Sequence, residues 1–114
     1  MTKSVKQRHE VLLGIHLQEL GLVPFVEEFQ FDALRKWRCD FAIPLKKLAI
    51  EIEGFAPRAR GGMGRHQRPI GFQNDLAKYN TLTANGWTLF RFSVNDILTG
   101  AELPFLKEWL KTTR

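Results

Sequence analysis

The sequence has one cysteine in 114 residues, and it has no long apolar run. The single Cys39 cannot form an internal disulfide, and disulfides are typical of oxidising compartments. No apolar stretch approaches the roughly 20 residues that a membrane-spanning helix needs, and no signal-peptide pattern opens the chain. We therefore expect a cytoplasmic protein in a reducing, intracellular setting, with no contact with a membrane.

What the sequence does contain is the composition of one globular domain. Hydrophobic residues make up 44% and aromatic residues 11% of the chain, which is too apolar for a disordered segment. A chain of 114 residues supplies one core but not two, so we predict a single domain over residues 1–114. The net charge of +5 favours an anionic partner, and nucleic acid is the commonest one.

Hydrophobic spacing and turn residues predict the elements. In chain order they are a helix over 4–20, strands over 23–31, 37–43 and 48–53, a helix over 72–85, a strand over 87–93, a short turn capped by Asn95, and a helix over 101–112. A strand, a crossover helix and a further strand imply a parallel, right-handed connection. The prediction is an α/β fold of order αβββαβ, with helices flanking a mixed four-stranded sheet and an extra C-terminal helix.

Residues 55–71 form a basic, glycine-rich segment without periodicity, which we interpret as a flap loop. Its basic side chains are Arg58, Arg60, Arg65, His66 and Arg68. Guanidinium groups are suited to phosphate because they offer permanently charged, bidentate contacts, which position a duplex without reading its sequence. The alternative is a disordered loop that only adds solubility.

The second and third strands alternate around a four-residue turn, as in an antiparallel hairpin. If Ile43 pairs with Leu48, Phe41 faces Ile50 and Cys39 faces Ile52, which makes one face wholly apolar. A free cysteine on such a face behaves as a small hydrophobe.

The other face of this hairpin places Asp40 opposite Glu51 and Arg38 opposite Glu53. Directly opposed like charges destabilise a sheet, and a divalent cation between the acids would explain them, since Mg²⁺ prefers oxygen ligands. The alternatives are solvated acids and an ordinary ion pair between Arg38 and Glu53.

Several short stretches resemble the PD-(D/E)XK nuclease superfamily. More narrowly, the chain is similar to small phage and bacterial endonuclease-like domains related to very-short-patch repair endonucleases. The matching stretches are RCDFA at 38–42, LAIEIEG at 48–54, GRH at 64–66, FQNDLAKYN at 72–80, GW at 86–87 and RF at 91–92. Their order and spacing carry the resemblance over nearly the whole chain.

The resemblance implies a restriction-endonuclease-like fold and a Mg²⁺-dependent DNA endonuclease in which Mn²⁺ can substitute. Asp40 and Glu51 would bind the cation at the scissile phosphate. The common pattern has a lysine two residues after the second acid, where this chain has Glu53. Some members carry an acid there, and others supply the lysine from the following helix, where Lys78 stands. The alternative is a non-catalytic DNA-binding module that has lost its chemistry with that lysine.

Two of these residues have competing interpretations. Glu53 shares the face of Glu51 and would be a second metal ligand or a general base, or else a partner of Arg38. Lys78 would stabilise charge on the phosphate or hold the nucleophile, or else be a solvated helix lysine.

His66 would be a general acid or a phosphate contact, or else a loop histidine without a role. Glu10 on the first helix would be an extra metal ligand, or else a surface acid in ordinary ion pairing. His9 and His16 have no ligand-like spacing and receive no role. Nicking, junction resolution and double-strand cleavage stay open, and cutting both strands would need a homodimer or two successive events.

Overall fold

The computed structural model of the protein describes residues 6–54 and 69–113, with the backbone alone over 69–74. Its elements in chain order are α1 (Arg8–Glu19), β1 (Val26–Gln30), β2 (Arg38–Ile43), a 3₁₀ turn (Pro44–Lys46), β3 (Leu48–Glu53), α2 (Pro69–Ala84), β4 (Thr88–Ser93), α3 (Val94–Thr99) and α4 (Glu102–Thr112). The predicted order of helices and strands is confirmed.

The four strands form one mixed sheet in the order β1-β2-β3-β4. β1 pairs with β2, and β2 with β3, in antiparallel fashion, whereas β3 and β4 run parallel. The parallel pair is joined through α2, as the strand–helix–strand pattern predicted. β1 and β4 are the two edge strands, and β3 lies inside the sheet.

The hairpin of β2 and β3 has the predicted register over its first three pairs. Ile43 faces Leu48 and Phe41 faces Ile50. The turn closes at Lys47, whose φ of +49° is in the left-handed region. Beyond the pair of Phe41 and Ile50 the ladder ends.

The sheet separates two apolar clusters. The larger cluster contains Leu13 and Leu17 of α1, Ile97 of α3, Leu106 of α4, and Phe41, Ile43, Leu48, Ile50 and Phe92 of the sheet. The smaller one contains Cys39, Ala49 and Leu82, with Phe31, Tyr79, Trp87 and Leu89 packed against it. Because Leu82 belongs to α2, the two clusters place α1, α3 and α4 on one face of the sheet and α2 on the other.

The start of α3 differs from the prediction, which made Asn95 the capping residue. Ser93 is the cap: its Oγ accepts from the backbone N–H of Asp96 at 3.0 Å, and the Asp96 carboxylate accepts from Ser93 N–H at 3.0 Å. This reciprocal pair satisfies two N–H groups that a helix start otherwise leaves free. The helix therefore starts directly after β4.

A buried pair of side chains joins α1 to α4. His16 Nδ1 contacts Glu102 Oε2, and the two side chains are 10% and 0% exposed. The other oxygen, Glu102 Oε1, has no hydrogen-bond partner within the described part of the chain. None of the helices that the structure describes is long and apolar enough to cross a membrane.

Candidate active site

Asp40 stands where the β2–β3 ladder opens. Its Oδ2 accepts a hydrogen bond from the backbone N–H of Ile52 on β3 at 2.7 Å. A side chain thus satisfies a backbone donor that a continued ladder would have paired. Burial raises the pKa of Asp40, and the negative charges of Glu53 and Glu10 act in the same direction, while the Ile52 N–H and Lys78 oppose them.

The β2–β3 pairing ends at Phe41 and Ile50, which corrects three predicted cross-strand pairs. Asp40 and Glu51, predicted to face each other, are not a ladder pair. Arg38 pairs with Gln30 of β1, and it does not face Glu53 because the β2–β3 pairing has already ended. Cys39 packs with Ala49 and Leu82 instead of facing Ile52 on the apolar face that contains Phe41. It remains a fully buried, unbonded cysteine, so its predicted packing role holds on the opposite face.

The neighbouring strand is irregular at the same level. Glu27 pairs with Phe41 and Phe29 with Cys39, so Glu28 stands across from Asp40. Glu28 has φ +53°, a conformation that side chains other than glycine adopt rarely. The β1–β2 register is the same on both sides of Glu28, so no residue is inserted there. The period of two fails within β2 itself, at Asp40, whose side chain takes the Ile52 N–H in place of a backbone carbonyl.

Glu51 extends from β3 toward α2. Its Oε2 lies 2.5 Å from Lys78 Nζ, and its Oε1 lies 3.5 Å from the hydroxyl of Tyr79. Burial raises the pKa of Glu51, and the hydrogen bond and charge of Lys78 offset part of that rise. The acid is therefore held in a half-buried position with a cation beside it.

Lys78 is not a solvated helix lysine, because its side chain is only 14% exposed. Its charge also lowers the pKa of Asp40, so it acts on both acids of the hairpin. The position two residues after Glu51, where the resemblance leads one to expect a lysine, is occupied by Glu53. Lys78 brings a lysine ammonium to the acids from α2 instead.

Arg91 and Tyr79 also belong to this group of side chains, and the sequence analysis gave neither of them a role. Arg91 stands level with Glu51 in the parallel β3–β4 register. Its Nε donates to Glu53 Oε2 at 2.9 Å, and its guanidinium lies 4.9 Å from the ring centre of Tyr79. Arg91 is the one charged residue of β4, which is otherwise rich in aromatic residues and pairs with the strand that carries Glu51 and Glu53. That lone charge could have marked Arg91 as a partner of these acids.

Asp40 and Glu51 are the carboxylates that could hold a metal ion. Within residues 6–54 and 75–113, no three or more His, Cys, Asp or Glu side chains lie close enough to hold a metal ion between them. Asp40 and Glu51 supply two carboxylates, and Mg²⁺ is commonly held by one or two carboxylates with water and phosphate oxygens completing its shell. Glu53 Oε2 accepts from Arg91, as Glu51 Oε2 does from Lys78.

The remaining candidates are placed differently. Glu10 Oε1 accepts from the backbone N–H of Gln7 at 2.8 Å and so helps to cap α1, although its charge reaches Asp40. Lys6, a neighbour that could have paired with Glu10, contacts Glu27. The flap residues Arg58, Arg60, Arg65, His66 and Arg68 lie outside the described residues.

Comparison with known proteins identifies one fold relative. The chain superposes on a solved structure titled "Homing Endonuclease I-Bth0305I Catalytic Domain" with a TM-score of 0.56 and 17% sequence identity, covering 93% of this chain and 92% of that chain. No protein-family model matches the sequence, and no curated protein matches it. The two chains share a fold over nearly their whole lengths.

Proposed function

We propose that the protein is a metal-dependent endonuclease that hydrolyses phosphodiester bonds in DNA. The observation that carries the proposal is the contact of Lys78 with Glu51 at 2.5 Å, beside Asp40, at the point where the β2–β3 ladder opens. The fold shared with a homing endonuclease catalytic domain supports it, as does the net charge of +5. The closer relation to the PD-(D/E)XK superfamily and to very-short-patch repair endonucleases stays a prediction.

In this proposal Asp40 and Glu51 hold a divalent cation, Mg²⁺ or Mn²⁺. A bound cation would neutralise charge on the scissile phosphate and lower the pKa of an attacking water. Asp40 is suited to the role because the Ile52 N–H fixes its Oδ2, while within residues 6–54 and 75–113 no hydrogen bond engages its Oδ1. Glu51 is suited because it is fixed between Lys78 and Tyr79.

Lys78 supplies the positive charge of a lysine from α2 instead of from β3. An ammonium group has three N–H donors, and the contact with Glu51 uses one of them. The others are available to a phosphate oxygen or to the attacking water. An ammonium held in place before the substrate arrives stabilises charge that develops in the transition state without costly reorganisation.

The outer residues take supporting roles. Arg91 holds Glu53, so we propose that Glu53 orients a water near the site more than it binds the cation. Glu10 acts on Asp40 through its charge. His66 and the arginines of the flap stay predicted phosphate contacts, with His66 also the predicted general acid.

The contact of Lys78 with Glu51 also bears on the alternative of a non-catalytic DNA-binding module. That alternative depended on the absence of a lysine beside the acids. The structure places Lys78 Nζ within hydrogen-bonding distance of Glu51, and this favours the enzyme. We also propose that the protein acts inside the cell, where DNA is and where the unbonded Cys39 stays reduced.

Nicking of supercoiled plasmid tests the proposal. We expect cleavage with Mg²⁺ or Mn²⁺ and none in excess chelator. Asp40→Ala and Glu51→Gln should each lower the rate by about a hundredfold or more, as loss of a charge-stabilising group does elsewhere. The matched control is Glu108→Gln, because Glu108 also pairs with a lysine, Lys111, but is 73% exposed.

Two results would overturn the proposal: cleavage that persists in chelator, or cleavage that Asp40→Ala leaves unchanged. The products resolve the remaining question, because a single site nicks one strand. A linear product formed with second-order dependence on protein concentration would indicate a homodimer.

A further inference from the structure

The loop over residues 31–37, between β1 and β2, is ordered by hydrogen bonds between side chains and its backbone. Asp32 Oδ1 accepts from the backbone N–H groups of Leu34 and Arg35 at 2.9 Å each. The Gln30 side chain donates to the backbone carbonyls of Asp32 and Arg35 at 3.1 Å each. These four bonds fix the backbone on both sides of the loop tip.

Aromatic stacking anchors the base of this loop to the α2 face of the sheet. The rings of Phe31 and Trp37 stack with centroids 6.1 Å apart, and the guanidinium of Arg35 lies 4.7 Å from the Trp37 ring centre. Phe31 also packs against the smaller apolar cluster, which contains Leu82 of α2. The loop is therefore attached on the same face as Glu51 and Lys78.

The tip of the loop exposes an apolar side chain among cations. Leu34 is 92% exposed, the most exposed of the large hydrophobic residues in the described part of the chain. Arg35, Lys36 and Arg38 follow it and are exposed. A single exposed leucine needs no explanation by itself. Arg35 is paired with Asp32 at 3.3 Å, which leaves Lys36 and Arg38 as the cations that a ligand could meet. A leucine on a fixed backbone beside these two cations suits DNA, whose phosphates are anionic and whose base stack is apolar.

The loop lies at the end of the sheet that carries the acids. β2 begins at Arg38, two positions before Asp40. At about 3.3 Å per strand residue, Arg38 is about 7 Å and Trp37 about 10 Å along the strand from Asp40. Leu34 is six positions before Asp40, so the chain spans at most about 20 Å between them, which is about six stacked base pairs.

We propose that this loop is a DNA-contacting wedge that inserts Leu34 at a base step close to the site of cleavage. Lys36 and Arg38 contact the phosphates on either side of that step. The four hydrogen bonds from the side chains of Asp32 and Gln30 to the loop backbone hold the leucine in position before DNA arrives. Leucine is among the side chains that open base steps in this way, and pyrimidine–purine steps yield most readily. The inference rests on the proposed action on DNA.

Fluorescence of 2-aminopurine tests the wedge without requiring cleavage. The probe is a duplex of about three helical turns with 2-aminopurine at a TA step, titrated with the full chain in chelator and again with Ca²⁺. We expect the fluorescence to rise on binding, because an unstacked base is less quenched. Leu34→Ala should abolish the rise and weaken binding roughly tenfold, the size expected for a lost leucine contact.

The chain offers a matched control in Leu45. It is 80% exposed and is followed by Lys46 and Lys47, but it lies in the turn at the opposite end of β2. Leu45→Ala should leave both binding and fluorescence as in the unchanged protein. Lys36→Ala should lower the slope of log affinity against log salt by about one while keeping the fluorescence rise.

The outcomes separate the wedge from the nuclease. Binding without a fluorescence rise, or a rise that Leu34→Ala retains, overturns the wedge, while plasmid cleavage can still support the nuclease. Loss of the rise in Leu45→Ala to the same degree also overturns the wedge. Cleavage of plasmid without a rise in 2-aminopurine fluorescence supports the nuclease and overturns the wedge. Absence of both duplex binding and cleavage overturns both proposals.

Discussion

Lys78 of α2 and Glu51 of β3 are in contact, Nζ to Oε2 at 2.5 Å, although 27 positions separate them in the chain. Their side chains are 14% and 12% exposed, so the pair is largely withdrawn from water. It ties the crossover helix to an inner strand at the level of Asp40. Its removal should therefore affect the stability of the fold as well as chemistry at the site.

Lys78→Met is expected to lower the free energy of unfolding by about 3 kcal/mol in metal-free buffer, because it leaves the half-buried Glu51 carboxylate without its cation. Urea denaturation measures the change. Lys111→Met is the control: that lysine is 71% exposed and should change stability by less than about 0.5 kcal/mol. If Glu51 binds metal, Mg²⁺ should raise the melting temperature of Lys78→Met more than that of the unchanged protein. Equal losses in the two variants would contradict the prediction.

Asp40→Asn is expected to stabilise the folded protein at pH 7 while abolishing cleavage. The amide oxygen can still accept from Ile52 N–H, and the cost of burying a charge disappears. The pKa of Asp40 is raised in the folded state, so its deprotonation disfavours folding as the pH rises from the ordinary value of 3.8 through the raised one. The stability gained by Asp40→Asn should therefore be absent below pH 3.8 and fully present above the raised pKa.

Thermal unfolding in chelator from pH 3 to pH 8 would measure this difference. An Asp40→Asn protein that is less stable than the unchanged one at pH 7 would show that the charged form is the one the fold favours. Asp40→Ala serves as the comparison, because it removes the charge and the acceptor for Ile52 N–H together.

His16→Ala is expected to lower the free energy of unfolding by about 3 kcal/mol, because it strands the fully buried Glu102 carboxylate between α1 and α4. The double variant His16→Leu with Glu102→Met should recover much of that loss, since apolar side chains of similar volume often replace a buried pair without penalty. Urea denaturation of His16→Leu, Glu102→Met and the double variant measures the coupling. Losses that simply add would mean that the pair does not act as a unit.

Asp32→Ala is expected to weaken duplex binding and to suppress the 2-aminopurine signal, with little change in melting temperature. It removes the acceptor for the N–H groups of Leu34 and Arg35, so the loop must be ordered at the moment of binding. Those hydrogen bonds lower the pKa of Asp32, and their contribution is present above 3.8 and is lost as the pH falls through the lowered value. Binding measured between pH 6 and pH 8 should show no dependence on this residue's titration.

The fold could be predicted where the spacing of apolar residues in the sequence matches the repeat of a regular helix or strand. Alternating apolar residues fixed the pairing of Ile43 with Leu48 and of Phe41 with Ile50, since one slip would move every side chain to the wrong face. The same reasoning failed at Cys39. It assumes a regular pleat, and a period of two cannot show that the Asp40 side chain takes the Ile52 N–H in place of a backbone carbonyl.

The contacts of the site were harder to predict because they join distant parts of the chain. Lys78 entered through a resemblance, and its spacing in α2 gave no reason to pair it with Glu51. Arg91 meets Glu53 only through the parallel register of β3 and β4. His16 and Glu102 lie 86 positions apart, and neither had a helical neighbour that pointed to the other.

The hydrogen bond from Ile52 to Asp40 also makes one backbone amide a reporter on the whole site. The chemical shift of the Ile52 amide proton should depend on the charge of the carboxylate that accepts its bond. Protonation of Asp40, capture of a cation by its other oxygen, and arrival of a phosphate should each move that resonance. Occupancy of the centre could then be followed by NMR in a protein that carries no label or substitution at its acids.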